Sequence, residues 1–181
     1  QSQHTKEETA LRLLAFHLQF DAPQPGILGP IPFQQLKTSL PAGFKATHLV
    51  SGRPEETKER LQQSLNSGSG FLTELIYKSK TPYGLKTIGN IKAVRKGSSD
   101  MVEFIYEYSN AEICHTTLEI LLDVFIERYR RLKQAETSDV VAYFEQRLSN
   151  AREVLNEAEN NLTVFRSKNQ IINYNEQTKF I

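Results

Sequence analysis

The sequence has few of the residues and motifs that catalytic and metal-binding sites usually require. Cys114 is the only cysteine, so an internal disulfide bond is excluded, and we interpret it as a small core residue. The four histidines do not cluster with the spacing of a metal site. Glycine motifs for phosphates or dinucleotides are absent, as is a nucleophile elbow. We therefore expect a protein that is not an enzyme, with no catalytic residue, metal or cofactor.

Two further features, an excess of one charge and a long apolar run, are also missing. Basic and acidic residues number 22 and 21, a net charge of +1, whereas nucleic-acid-binding domains are usually strongly basic, so we expect no nucleic-acid partner. No window approaches the roughly 18 consecutive apolar residues of a membrane-spanning helix, and no signal peptide is present. Because the chain begins with Gln1, we expect a fragment, and any membrane anchor would lie outside it.

The first part of the chain predicts short elements. Thr5 as a cap and Glu8 as its capping-box partner predict a helix to about residue 20, in which we interpret His17 as partly buried and neutral. Four prolines and two glycines in residues 21–32 predict a non-helical connection. Five elements are predicted next: a helix over 33–40, an extended segment over 44–50, a surface helix beginning at Pro54, and short helices over 71–78 and 85–89.

A β-hairpin is predicted over residues 91–96 and 101–108, because the four residues between them, GSSD, have the composition of a tight loop. Alternation along the second strand places one set of side chains on the core face: Val102, Phe104, Tyr106 and Tyr108.

No proline or glycine occurs in residues 111–181, so we predict one nearly continuous helix over about 111–167, capped by Ser109 or Asn110. A broad apolar face in its first part is predicted to pack on the preceding residues: Leu118, Leu121, Leu122, Phe125, Tyr129 and Leu132. The pattern lapses over residues 134–139, and Asn175 is predicted to cap a further helix that begins at Glu176.

The second part of the long helix carries a narrow heptad stripe, which we call the seam. Its residues alternate at spacings of three and four: Val141, Phe144, Leu148, Ala151, Leu155, Ala158, Leu162 and Phe165. A narrow stripe favours another helix as its partner, either the continuation of this chain or another copy. We expect an α+β fold, with a base domain over residues 1–134 and a projecting helix with a coiled-coil seam, plus the start of a further helix, over 135–181.

Four basic residues lie close together before the seam: Arg128, Arg130, Arg131 and Lys133. One interpretation is contact with an anionic glycan or with lipid headgroups. The other is a solvated helix face, supported by the spacing of four between Glu127 and Arg131.

The segments YFEQRL and AREVLNEAENNL in the predicted long helix, and NQIINYNEQTK after it, resemble the periplasmic region of Wzz-type chain-length determinants, also called polysaccharide co-polymerases. The likeness covers about residues 100–181, and ETALRLLAFHL near the N-terminus is similar to the exopolysaccharide or capsule type.

This resemblance implies a periplasmic domain of a bacterial inner-membrane protein, with a transmembrane helix at each end, an α/β base and a long periplasmic helix. It also implies homo-oligomeric rings that set the length of a surface polysaccharide, with the polymerase and the nascent polysaccharide as partners. Two alternatives remain open: a glycan-binding module, with Tyr77, Tyr83, Tyr106 or Tyr108 as stacking surfaces, and a coiled-coil adaptor of an envelope export complex.

Overall fold

The structure is a computed structural model that describes residues 2–168, apart from the side chain of Glu136. The predicted helix start at Asn175 and Glu176 lies outside these residues. Within them the elements are α1 Gln3–Leu18, α2 Pro30–Ser39, α3 Phe44–His48, α4 Pro54–Asn66, α5 Gly70–Thr73, α6 Leu85–Ile88, β1 Lys92–Arg95, β2 Val102–Ile105 and α7 Ala111–Lys168. The expected combination of several helices, a short antiparallel sheet and a long C-terminal helix is confirmed.

The chain divides into two units, Gln1–Arg128 and Tyr129–Ile181, and α7 contributes residues to both. The predicted boundary between residues 134 and 135 lies a few residues further along α7. The hydrophobic core belongs to the first unit, which also contains the sheet and the six shorter helices.

Helix α1 is the centre of the core, because apolar residues surround most of it. It contacts both α4 and α6, and five of its apolar residues are fully buried: Ala10, Leu11, Leu13, Leu14 and Ala15. The predicted cap was wrong: Ser2 caps the helix by accepting a hydrogen bond from the backbone N–H of Thr5 at 3.3 Å. Thr5 is instead a buried residue of the first turn.

The predicted non-helical connection is confirmed for residues 21–29, but α2 begins at Pro30 because a proline is well tolerated in the first turn of a helix. The connection is fixed to the start of α7, since the Glu112 carboxylate accepts a hydrogen bond from the N–H of Gly26 at 2.9 Å. Gly26 has φ of +82°, a left-handed conformation that glycine adopts without strain.

Two predictions between α2 and α7 need correction. The predicted extended segment over 44–50 is wrong for residues 44–48, because α3 forms there and stacks the buried Phe44 ring on His48 with ring centres 4.3 Å apart. Helix α4 begins at Pro54 as predicted but does not lie wholly at the surface, since Leu61 is fully buried. The predicted helix over 71–78 is α5 followed by a π-helical turn, Glu74–Lys78.

Strands β1 and β2 form the predicted antiparallel hairpin, with Lys92 paired to Ile105 and Arg95 paired to Val102. The predicted core face holds at Tyr106, which is buried, and in part at Phe104, whose ring packs edge-on against Phe125 at 5.7 Å. It fails at Val102, which is exposed.

Helix α7 begins at Ala111, and the Asn110 side chain caps it by accepting a hydrogen bond from the N–H of Ile113 at 2.9 Å. The predicted core face of α7 was partly wrong, because its buried residues are Ile113, Thr116, Thr117, Leu121 and Val124. Because Thr116 and Thr117 are polar, a pattern of apolar residues alone did not identify that face. Of the predicted face, Leu121 is buried and Leu118 is half-buried, whereas the others are exposed: Leu122, Phe125, Tyr129 and Leu132.

Candidate functional site

The seam lies along the part of α7 in the second unit, and all eight of its residues are exposed: Val141, Phe144, Leu148, Ala151, Leu155, Ala158, Leu162 and Phe165. Leu155, near the middle, is 57% exposed. A repeat of 3.5 residues on a helix of 3.6 residues per turn drifts by only about 20° per heptad, so the seam runs nearly along the helix axis. No residue in the described part of the chain covers it. The seam is therefore an exposed apolar strip along one side of the helix.

Other exposed apolar residues of this part of α7 lie off the seam. Val164 is 64% exposed and occupies the c position of the heptad, on the side of the helix away from the seam. Tyr143 occupies the same position three heptads upstream, and the guanidinium of Arg147 lies 5.8 Å from its ring centre. These residues supply matched controls for substitutions in the seam.

The four basic residues of the predicted anionic-ligand surface differ in their surroundings. Arg128 donates a hydrogen bond to the hydroxyl of Thr5 at 3.0 Å and so holds α7 to α1 within the first unit. Arg130 and Arg131 are exposed. Lys133 lies 6.0 Å from the ring centre of Tyr129. Arg128 thus has a structural role that sequence reasoning did not anticipate.

The tyrosines proposed as stacking surfaces are mostly engaged within the first unit. Tyr83 and Tyr106 are buried, and the hydroxyl of Tyr77 donates a hydrogen bond to Glu7 at 2.7 Å. Tyr108 is half-buried and lines an open cleft of about 660 Å³ together with Gln35 and Lys80. Tyr108 is therefore the best placed of the four to contact a sugar.

A charged network that sequence reasoning missed joins α1, α4 and α7. The guanidinium of Arg12 donates to both carboxylate oxygens of Glu127 at 3.0 and 2.7 Å, and to Glu8 at 2.9 Å. Lys58 also donates to Glu8 at 3.0 Å. The spacing of four between Glu8 and Arg12 was a visible signal, but Glu127 is too distant in sequence to be paired with Arg12 without the structure.

This network shifts the pKa of its members. Hydrogen bonding to Glu127 raises the pKa of Arg12 against the opposing effect of burial. Burial alone would raise the pKa of Glu8, but hydrogen bonds from Lys58 and Arg12 lower it overall. The arrangement joins α1 to both α4 and α7 through paired charges, so it secures α1 against its neighbours.

His17 is fully buried, whereas the sequence predicted a partly buried, neutral side chain. Its Nδ1 lies 3.0 Å from the hydroxyl of Tyr83, and its Nε2 has no partner in the described residues. Burial lowers the pKa of His17 to about 3, so the ring is neutral at pH 5 and above.

We expect stability to fall when the pH is lowered from 7.5 to 5, because unfolded His17 binds a proton below a pKa of about 6.5 whereas folded His17 does not. The contribution of neutral, buried His17 to the free energy of unfolding is complete above the unfolded pKa and declines below it. At pH 5 the decline is about 2 kcal/mol. Urea unfolding at the two pH values measures it. Glutamine does not titrate in this range, so the free energy of unfolding of His17→Gln should fall by about 2 kcal/mol less than that of the wild type between pH 7.5 and 5. An equal fall in both proteins would contradict a buried, neutral His17.

The described residues contain no group of three or more His, Cys, Asp or Glu side chains placed to hold a metal ion. None of the helices in residues 2–168 combines the length and the apolarity that a membrane crossing requires. None of the protein-family models, curated proteins or solved structures compared with the chain matches it.

Proposed function

We propose that the chain is a non-enzymatic periplasmic domain of an inner-membrane polysaccharide co-polymerase, and that it regulates the chain length or export of a surface polysaccharide as an oligomeric scaffold. The observation that carries the proposal is the exposed seam on α7. In this proposal the seam is a coiled-coil surface through which the chain assembles with other helices.

The seam supports a scaffold role because an exposed apolar strip of this length is costly unless another surface covers it. A Leu or Phe side chain contributes about 1.5–3 kcal/mol when it is transferred from water to a packed interface. Six of the eight seam residues are Val, Leu or Phe, so burial of this strip against a partner helix would by itself stabilise the assembly strongly.

The polysaccharide part of the proposal rests on the resemblance of YFEQRL, AREVLNEAENNL and NQIINYNEQTK to the co-polymerases. The first two segments contain six of the eight seam residues, from Phe144 to Leu162. The motif and the exposed strip therefore coincide on one helix, and the same residues support both the assembly and the family assignment.

A glycan-binding role is the second candidate, and the cleft beside Tyr108 is the observation that favours it. The tyrosine fluorescence of the chain should then change on titration with the polysaccharide of the source organism. This change should be weaker in Tyr108→Ala. If neither protein binds at millimolar sugar, this candidate is excluded.

The test of the proposed function is deletion of the gene in the source organism, followed by electrophoretic separation of the surface polysaccharide by length. We expect the modal length to be lost and the distribution to broaden, with restoration by the full-length gene in trans. An unchanged length distribution and amount of polysaccharide after deletion would overturn the proposal.

A further inference from the structure

One face of the hairpin carries a basic pattern on its first strand and an acidic pattern on its second. The basic triplet lies on β1 and the residue after it, and the acidic triplet lies on β2 and just beyond it: Lys92, Val94 and Lys96; Glu103, Ile105 and Glu107. Side chains two positions apart point to the same face of a strand. All six residues are exposed, and Lys92, Ile105 and Glu107 line one open recess of about 450 Å³.

The two triplets do not match each other within one copy. In the hairpin Lys92 lies opposite Ile105, and Val94 lies opposite Glu103, so each charge faces an apolar side chain. None of the four charged side chains of the triplets forms an ion pair within residues 2–168. The charge complementarity of the two strands is therefore left for a strand from elsewhere.

Both edges of the sheet offer backbone groups to such a strand. The N–H of Lys96 donates to the carbonyl of Met101 at 3.0 Å, which identifies this pair as hydrogen-bonded. In an antiparallel ladder the alternate residues then direct their backbone groups away from the hairpin: Ala93 and Arg95 on β1, and Val102 and Phe104 on β2. In the described part of the chain these outward groups have no hydrogen-bond partner. Unpaired edges of this kind favour the addition of a further strand.

One antiparallel register between two copies matches the triplets completely. Its three facing pairs, each written with the acidic-strand residue first, are Ile105 with Val94, Glu103 with Lys96 and Glu107 with Lys92. Two ion pairs then flank one apolar pair. A slip of two residues in either direction places Ile105 opposite a lysine and leaves no ion pair between the triplets. The side chains thus select a single register.

The backbone groups at the two edges fit the same register. It places Phe104 of one copy opposite Arg95 of the other, and both residues have outward N–H and carbonyl groups. Ile105 and Val94 then form a non-hydrogen-bonded pair, in which the Cα atoms lie about 4.5 Å apart and the side chains are closest. Val94 is 48% exposed and Ile105 is 40% exposed, so this contact would cover apolar surface on both copies.

Rotational symmetry gives the two strands the direction that this register requires. A contact between β2 of one copy and β1 of the next is head-to-tail, and such contacts close into rings. Because β1 and β2 are antiparallel within a copy and neighbours in a ring of many copies differ by a small rotation, β1 of the next copy runs opposite to β2. Equivalent helices of all copies keep the same direction along the ring axis, so the contact suits a ring.

We propose that β2 of one copy pairs with β1 of the next copy in antiparallel orientation, with Ile105 opposite Val94, so that the two-stranded sheets join between copies. The inference rests on the oligomeric scaffold of the proposed function and deepens it, because it adds a contact of the first unit to the seam of α7. The partner of the hairpin is a second copy of this chain, since the basic triplet is complementary to the acidic triplet of the same sequence.

Charge exchange in the purified chain tests the contact by sedimentation equilibrium at physiological salt. Lys92→Glu with Lys96→Glu should weaken self-association on the order of tenfold, because two attractive pairs in each contact become repulsive. Adding Glu103→Lys and Glu107→Lys to the same chain should restore the wild-type affinity to within about threefold, since all charges are then exchanged and the net charge is unchanged. Circular dichroism checks that the variants fold.

The matched control is Lys37→Glu with Lys78→Glu, which makes the same change in net charge at exposed residues away from the hairpin. We expect it to change the affinity by no more than about threefold. Three results would overturn the proposal: an equal effect of the control, a fourfold variant as weak as the double one, or a wild-type chain that stays monomeric.

Disulfide cross-linking gives a second readout that does not depend on charge. In a Cys114→Ala background, copies with Val94→Cys and copies with Ile105→Cys are mixed and oxidised. We expect disulfide-linked dimers in the mixture and not in either preparation alone, because the facing Cα atoms lie within the range of a disulfide bond. Dimers within one kind alone, or none in the mixture, would contradict the proposal, and an edge covered by a further strand of the same chain would give the latter.

Both measurements use the purified chain without polysaccharide. Loss of the strand contact would leave the result of the gene deletion unchanged, and an unchanged polysaccharide after deletion would leave the cross-links in place. The contact and the proposed function can therefore fail independently.

Discussion

Leu155→Glu is expected to weaken the self-association of the chain at least a hundredfold. Leu155 lies near the middle of the seam, and a contact between the seams of two copies contains it twice. Each substitution removes a leucine that the contact between copies would bury, worth about 1.5–3 kcal/mol, and requires a carboxylate to be desolvated in an apolar contact. Two losses of this size correspond to more than two orders of magnitude in the dissociation constant.

The matched control is Val164→Glu, which adds the same charge to the same helix at an exposed apolar position away from the seam. We expect it to change the dissociation constant by no more than about threefold. Sedimentation equilibrium measures both. Equal effects of the two variants would show that added charge, rather than the seam, governs association.

Leu121→Ala is expected to destabilise the first unit by about 2–5 kcal/mol, whereas Leu122→Ala should cost about 1 kcal/mol or less. The two residues are neighbours on α7, but Leu121 is 1% exposed and Leu122 is 40% exposed. Removal of the buried side chain leaves a cavity in the core, and removal of the exposed one does not.

Urea unfolding measures this difference. Because the chain has no tryptophan, far-ultraviolet circular dichroism together with tyrosine fluorescence gives the signal. The slopes of the unfolding free energy against urea should agree between the variants, so that the midpoints can be compared directly. If Leu122→Ala were as destabilising as Leu121→Ala, the buried face of α7 described above would be wrong.

The sequence was most informative where one physical signal dominated. The lack of proline and glycine after Asn110 predicted α7, and the loop GSSD predicted the hairpin between β1 and β2. In both cases local backbone chemistry was sufficient to identify the element, although β1 and β2 are shorter than predicted because strand ends depend on their neighbours.

Predictions failed where tertiary contacts decided the outcome. Thr116 and Thr117 lie on the buried face of α7, and the hydroxyl of Thr116 donates to the carbonyl of Glu112 at 3.0 Å. This satisfied polar group lets a threonine be buried, which an apolar pattern cannot reveal. Phe44 is likewise buried, and residues 44–48 form a helix where the sequence predicted an extended segment.

The candidate sites also divide into features that a local pattern located and features that depend on tertiary contacts. Periodicity alone located the seam, because an exposed stripe depends only on the helix that carries it. The bond from Arg128 to Thr5 and the pair of Arg12 with Glu127 each join residues more than 100 positions apart. No local pattern contains that information, so the roles of these two arginines required the structure.

In the proposed function, the seam of α7 is the surface through which this protein controls polysaccharide length. The most direct measurement exchanges the chromosomal gene for alleles with Leu155→Glu or Val164→Glu and compares polysaccharide length distributions at equal protein levels. We predict that Leu155→Glu reproduces the broadened distribution of the deletion and that Val164→Glu retains the wild-type modal length. A wild-type distribution with Leu155→Glu would contradict the claim.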